Sequence, residues 1–283
     1  MIEEGFKSRF KYDGTIPFAF YKQQSCPAPI TLIPHQHKEI ELISMTKGTA
    51  EFYIDTALYK LNAGDLLVIP PYCLHRANVR ADTSYDCICF DLSLLWDGEL
   101  TEGLEKGQLT VRGALPSSLT ASARLNELVK SAIKVREEQA RGWEMSVIGS
   151  LSLLFGNLKQ MDFFTKSEKP YSEHLFERSV LEYVSEHFSE PVTSNTAAGE
   201  MYLNNSYFCR LFKKRFGCCF TEYLLEYRIE KAKFYLQNSR KTISDIASET
   251  GFNSFSYFSK VFKRLVGRSP SEYRSPSPPS ASC

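Results

Sequence analysis

A chain of 283 residues with a net charge of +1 and 43% hydrophobic side chains is long enough for two domains, each with a substantial core. That charge balance excludes a bulk polycation, so any nucleic-acid binding must rest on local placement of charge. The start, MIEEGFKSRF, lacks the apolar stretch of a signal peptide, no uncharged apolar run has the length of a membrane span, and the eight cysteines form no C-x-x-C pair or zinc spacing. A reducing cytoplasm and no membrane are therefore expected.

Residues 1–95 read as β-rich. Strands are expected at Phe18–Tyr21, Thr31–Ile33, Ile40–Met45, Ala50–Ile54, Leu66–Ile69 and Tyr85–Leu92, punctuated by Lys47-Gly48, Asn62-Ala63-Gly64 and Pro70-Pro71. Many short strands at this spacing suggest a sandwich or barrel. His35 and His37 alternate, so on one strand both face the same side. With Glu41 and His75 they form a polar set that supports three readings: a metal site, a pocket for a small polar effector, or histidines satisfied within a barrel mouth.

Residues 96–165 change character, with helices at about 117–162. Leu119, Leu125, Leu128, Val129, Ala132 and Val135 recur at helical spacing, as do Ile148, Leu151, Leu154, Phe155 and Leu158, with Arg141-Gly142 between the two runs. These are two amphipathic helices, either packed on their own barrel or forming a dimer surface. Thr165–Ser172 reads as a polar linker, and Glu173–Phe188 as a helix.

The C-terminal third holds one unit twice. Ser206–Tyr223 reads SYFCRLFKKRFGCCFTEY and Ser256–Tyr273 reads SYFSKVFKRLVGRSPSEY, in register at an offset of fifty. In the second copy Thr242 is an expected N-cap, Ile243, Ile246 and Ala247 form a short helix face, and Gly251 marks its end. Asn253 and Ser254 restart the chain, Phe255, Phe258, Val261, Phe262 and Leu265 form the next apolar face, and Gly267 and Pro270 close the unit. A short helix, a turn and a second helix with a basic outer face is the pattern of a DNA-binding helix-turn-helix. No Asp or Glu lies between Glu200 and Glu222, or between Glu249 and Glu272, as a polyanionic partner would require. Residues 171–274 carry 15 Lys and Arg against 12 Asp and Glu, the remainder 19 against 21, so the positive excess sits in this third.

The same offset sets Ala197 opposite Ala247, Thr193 and Thr196 opposite Ile243 and Ile246, and Met201 near Gly251. It implies a weaker first unit, short of apolar burial worth a few kcal/mol. Phe220–Leu236 is the expected connecting helix, with Leu224, Tyr227, Ile229, Ala232 and Leu236 packing. The tail SPSPPSASC reads as disordered.

The run GFNSFSYFSKVFKRLVGRSPSEYR resembles the signature of AraC/XylS-type transcription regulators, and the resemblance covers roughly residues 175–275. It implies a long helix joining two units, each placing one helix in a major groove. His35-x-His37, Glu41, Gly48, Gly64, Pro70 and His75 resemble the two cupin motifs, with Tyr72 where Gly is usual and Asn78 one position early. In metal-binding cupins the positions of His35, His37, Glu41 and His75 hold a divalent ion, whereas cupins joined to AraC-type domains use the barrel as an effector pocket.

The expected protein is thus an α+β multidomain transcription regulator. Residues 1–165 form a cupin-like jelly-roll barrel (about 1–95) with a helical dimerisation segment, and 166–283 an all-α domain with helix-turn-helix units at about 192–217 and 242–267. DNA-facing positions are Asn205, Ser206, Cys209, Arg210 and Lys213, then Phe255, Ser256, Ser259, Lys260 and Lys263. Tyr207 and Tyr257 are assigned to packing. The effector set is His35, His37, Glu41 and His75, with no metal or other cofactor and no catalytic residue. Expected partners are promoter DNA, a small-molecule effector with a sugar as the default, a second copy of the chain, and RNA polymerase for an activator. The alternative is a metal-dependent cupin enzyme with an attached DNA-binding module.

Overall fold

The run Leu66-Leu67-Val68-Ile69 is apolar at every position, and the computed structural model shows why: it is a strand with both faces covered. The structure describes residues 16–23, 29–167 and 175–274. They divide into two compact units between Arg178 and Ser179. The first unit holds β1 (Phe18–Gln23), β2 (Ile30–His35), β3 (Ile40–Lys47), β4 (Thr49–Ile54), β5 (Ala57–Asn62), β6 (Leu66–Ile69), β7 (His75–Val79) and β8 (Ser84–Phe90). After them come α1 (Gly98–Glu105), β9 (Leu109–Val111), β10 (Ala114–Leu115), α2 (Thr120–Glu138), α3 (Trp143–Gln160) and β11 (Phe164–Lys166). One sheet runs β1-β8-β3-β6-β10 and the other β2-β7-β4-β5, with antiparallel neighbours. Together they form the expected jelly-roll-like barrel.

Alternation divides the shared sheet into two faces. Ile40, Leu42, Leu66, Val68, Ile88 and Phe90 meet the helices, while Ile43, Leu67, Ile69 and Cys87 fill the barrel. Helices α2 and α3 lay Leu125, Val129, Ala132, Val147, Leu151, Leu154 and Leu158 on that outer sheet face. Packing on their own barrel is therefore realised. A polar link fixes α2 further: Ser44 Oγ donates to Asn126 Oδ1, and Asn126 Nδ2 donates to the Gly64 carbonyl, each at 2.7 Å. Leu119, Met145 and Leu153 stay exposed on the helical layer. Strands β5 and β7 and helix α1 were not expected. β5 is an edge strand with most side chains exposed, and β7 interleaves Arg76 and Asn78 with its inward residues, so neither shows an apolar run. The linker begins later than expected, since Thr165 and Lys166 pair with Thr110 and Leu109. The rest of that segment (168–172), Glu173 and the Ser/Pro tail after Arg274 lie outside the described residues.

The remaining helices are α4 (Leu175–His187), α5 (Ser194–Glu200), α6 (Asn205–Phe216), α7 (Phe220–Asn238), α8 (Ile243–Glu249), α9 (Phe255–Val266) and α10 (Pro270–Arg274). The second unit holds two helix-turn-helix pairs, α5/α6 and α8/α9, on either side of α7. As expected, Leu224, Tyr227, Ile229, Ala232 and Leu236 of α7 are buried. Its first half joins an aromatic cluster of Phe208, Phe212, Phe216, Phe220 and Tyr223, in which Phe212 and Phe216 stack at 4.1 Å. Its second half joins Ile246, Phe252, Phe258, Val261 and Phe262.

The repeat does not keep one offset. The reading helices α6 and α9 start fifty residues apart, but the leading helices α5 and α8 start forty-nine apart. The second turn carries one extra residue, Asn253. This overturns the expected pairing of the leading helices. Ala197 and Ala198, both buried, correspond to Ile246 and Ala247. Thr193 and Thr196 are not displaced core positions. They form a capping box in which the Thr193 hydroxyl accepts from the Thr196 N–H and Thr196 Oγ1 accepts from the Thr193 N–H, as Thr242 and Asp245 do in the second unit. The position matching Gly251 is Tyr202, not Met201: both have positive φ, +54° and +80°. The apolar deficit of α5 is thus two steps, from Ile246 to Ala197 and from the partly buried Ile243 to Ser194.

Candidate functional site

The outer faces of α6 and α9 follow from where their inner faces are buried. Phe208, Phe212 and Phe216 pin α6, and Phe258, Val261 and Phe262 pin α9. Each helix starts on a side-chain cap, Asn204 accepting from the Tyr207 N–H and Ser254 from the Tyr257 N–H, and ends on a left-handed glycine, Gly217 or Gly267. Nine of the ten expected DNA-facing residues are exposed: Asn205, Ser206, Cys209, Arg210, Lys213, Phe255, Ser256, Lys260 and Lys263; Ser259 is half-buried. Phe255 and Leu265 do not belong to the packed face of α9. Tyr207 and Tyr257, assigned to packing, are 45% and 51% exposed. They are the third residue of each reading helix, and the Tyr257 ring lies 6.2 Å from that of Phe252. Lys214 and Arg264 are exposed as well and widen each basic face. The 19-residue α7 between the two pairs is about 28 Å long, near the ~34 Å repeat of successive major grooves.

In the barrel, β2 and β7 pair His35 with His75, and β3 of the other sheet brings Glu41 across. His37 is not on the strand with His35. It follows the end of β2, where its Nδ1 lies 3.0 Å from the Glu39 carbonyl and its own carbonyl accepts from the Tyr72 N–H at 2.7 Å. Tyr72 keeps a left-handed φ of +59°, so it holds by backbone shape the place where the cupin motif has Gly. All four expected residues converge. His37 Nε2 is 3.1 Å, and His75 Nε2 3.2 Å, from the same Glu41 oxygen. The His35 and His75 rings lie 4.1 Å apart. Burial opposes the charge on Glu41, but neighbouring His37 and His75 outweigh it and hold the carboxyl well below its ordinary range. Burial likewise opposes the charge on His37, yet Glu41 and Glu39 raise its pKa overall. Sequence patterning missed two neighbours: Cys87, whose Sγ donates to Glu41 Oε1 at 3.0 Å, and buried Glu39, 3.6 Å from His37 Nδ1. Cys87 reaches the cluster through the pairing of β8 with β3, which no local spacing signals, whereas Glu39 lies in the turn between His37 and Glu41.

The donor set fits a divalent metal. Nδ1 of His35, His37 and His75 each lies within hydrogen-bond distance of a backbone carbonyl, those of Ile33, Glu39 and Cys73, which leaves each Nε2 as the ligand atom. One ligand atom from each of His35, His37, Glu41 and His75 can be chosen with all four within 4.8 Å of one another. His75 Nε2 is buried and makes no hydrogen bond, although Glu41 is near.

Comparison with known proteins bears on both sites. The profile of the AraC-like ligand binding domain matches residues 19–155, and that of a helix-turn-helix domain matches 197–275. The chain is 26% identical over 272 residues to YdeC of Bacillus subtilis, an uncharacterised HTH-type transcriptional regulator, covering 92% of each chain. It is 26% identical over 215 residues to the arabinose operon regulatory protein of Salmonella typhimurium, covering 75% of this chain and 74% of that one. Apo ToxT from Vibrio cholerae shares the fold with a TM-score of 0.54 at 18% identity, covering 92% of this chain and 98% of that one. Among the described residues no helix is long and apolar enough to cross a membrane. These matches identify a regulator and leave no place for the enzyme alternative. With a matched AraC-like ligand-binding domain followed by a matched helix-turn-helix domain, the chain belongs to the AraC/XylS family of DNA-binding transcription regulators.

Proposed function

We propose that this regulator acts in the cytoplasm as a homodimeric activator, with residues 1–165 binding a small-molecule effector and dimerising, and residues 166–283 gripping promoter DNA to recruit RNA polymerase. The observation that carries the DNA assignment is the matched outer faces of α6 and α9, basic and free of carboxylates. Asn205, Ser206, Cys209, Arg210 and Lys213 enter one major groove, and Phe255, Ser256, Ser259, Lys260 and Lys263 the next. Arg210 reads base edges, since its planar fork matches guanine O6 and N7. Lys213 and Lys263 meet phosphates, which position without specifying. Arg210→Ala is expected to weaken cognate binding by about 1–3 kcal/mol and relax preference at one base pair. Lys263→Ala should weaken all sequences alike and flatten the salt dependence. Unchanged selectivity in Arg210→Ala removes the role given to Arg210. For the dimer, the exposed Leu119, Met145 and Leu153 supply an apolar layer, and a monomeric wild type in sedimentation would remove that part.

In the barrel, His35, His37, Glu41 and His75 contact the effector, with a sugar as the first candidate because imidazoles and a carboxylate match its hydroxyls and one relative regulates an arabinose operon. Effector and DNA then change each other's affinity by one shared factor. A second reading is favoured by a specific observation: the closeness of the four ligand atoms suits one divalent ion better than a sugar ring. Bound there, an ion would offer Lewis-acid contact to an effector oxygen, held by those same four residues. Elemental analysis of the full chain, beside a thermal-shift series with sugars, organic acids and divalent metals on wild type and His37→Ala, separates the readings. A sugar shift lost in His37→Ala without bound metal supports direct contact. About one metal per chain, lost in His37→Ala, supports the ion. Neither result means the cluster is structural.

A further inference from the structure

Among the expected DNA-facing positions and the tyrosines beside them, the two reading helices agree at three and differ at three. Ser206 matches Ser256, Tyr207 matches Tyr257, and Lys213 matches Lys263. The differences are Asn205 against Phe255, Cys209 against Ser259, and Arg210 against Lys260. The first is the largest change in chemistry. Phe255 opens α9 directly after its N-cap Ser254, is 50% exposed, and lies outside the buried cluster of its unit. Its ring neighbour is Phe258 at 6.4 Å, on the same helix.

Residues at the start of a reading helix are those that meet base edges. Along α9 Phe255 is accompanied by the exposed Ser256, Lys260, Lys263 and Arg264 and by no carboxylate, so that face suits DNA. A phenyl ring can satisfy neither the donors nor the acceptors of a guanine, adenine or cytosine edge. The one apolar group in the major groove is the 5-methyl of thymine. At the matching place Asn205 offers an amide, and Cys209 Sγ lies 3.5 Å from its Oδ1. That amide suits adenine N6 and N7.

We propose that Phe255 is a specificity residue that reads a thymine methyl, so that the second half-site requires thymine where the first, at the corresponding place, takes adenine. The binding site is then two unlike halves rather than a repeated word. The proposal rests on the DNA-facing assignment of α9.

The test uses the full chain and a randomised duplex library to find its preferred site. In that site each thymine is then replaced singly by deoxyuridine, which removes only the methyl. One position in the second half-site should weaken wild type about fourfold, the worth of one buried methyl. Phe255→Ala should bind the thymine and deoxyuridine duplexes equally and lose preference at that base pair. With thymine placed at the corresponding position of the first half-site, Asn205→Phe should bring the same methyl sensitivity there. No methyl-sensitive thymine in the second half-site, or sensitivity that survives in Phe255→Ala, overturns the proposal. Lys260→Ala separates the two levels. If it weakens binding while deoxyuridine does nothing, only the thymine assignment fails. If neither matters, α9 does not face DNA.

Discussion

The two helix-turn-helix units close the same turn by different means. In the second, Gly251 sits at φ +80°, and a Cβ there would stand 2.7 Å from the Phe188 carbonyl and 2.8 Å from Arg228 Nε. Arg228, on α7, donates to the carbonyls of Phe188 and Glu190, so this turn is pressed against a hydrogen-bonded brace. In the first, Tyr202 takes the left-handed position at φ +54° with a side chain that is 96% exposed. A positive φ by itself strains a non-glycine residue without forbidding it; close approach of a backbone carbonyl forbids it. The cores differ too. The first unit relies on a cluster of large aromatic rings, while the second also buries the side chain of Ile246 in its leading helix, where the first has Ala197.

The comparison breaks most readily at the aromatic cluster. Phe212 is fully buried and within ring contact of Phe208, Phe216, Phe220 and Tyr223. Phe212→Ala should cost about 3–5 kcal/mol in chemical denaturation and remove the first unit from DNA. A loss under ~1 kcal/mol would show that something other than these rings holds that unit.

The turns come next. Gly251→Ala combines a strained φ with the clash against Phe188 and Arg228, and should cost about 1–3 kcal/mol. Tyr202→Ala, at the matching place, should leave stability nearly unchanged. Equal effects in the two would mean the brace is not what distinguishes them.

A smaller effect separates the two alignments of the repeat. Thr193→Ile combined with Thr196→Ile removes both members of a capping box and should destabilise the first unit by about 1 kcal/mol. Under an unbroken offset of fifty the same pair would extend the apolar face and stabilise it. The sign of the change in melting temperature decides.

The smallest expected change is a gain. Tyr202→Gly relieves a left-handed conformation worth about 1–2 kcal/mol but adds freedom to the unfolded chain, leaving a net stabilisation below ~1 kcal/mol. A loss would mean the exposed Tyr202 ring holds the turn in place.

Local pattern determined much of this protein. Helical spacing placed α2, α3 and α7 to within a few residues, Thr242 and Gly251 bounded a helix as their chemistry requires, and apolar runs located six strands, because each of these signals is written within a few neighbouring residues. The helix-turn-helix pairs and the four residues of the barrel cluster were likewise legible, as repetition and as spacing. Tertiary structure decided the rest. Thr193 caps its helix through Thr196, and because the second unit's turn carries one extra residue, a repeat read at constant offset sets it against Ile243 instead of the cap Thr242. Strand β7 exists because β2 and β4 flank it, not because its own residues form an apolar run. His37 reaches Glu41 by a turn past the end of β2 that also carries Glu39, and Cys87 joins them through sheet register. Hydrogen bonding between strands is non-local, so the partners of a short polar strand, and the side chains they gather, are set only once the sheets close.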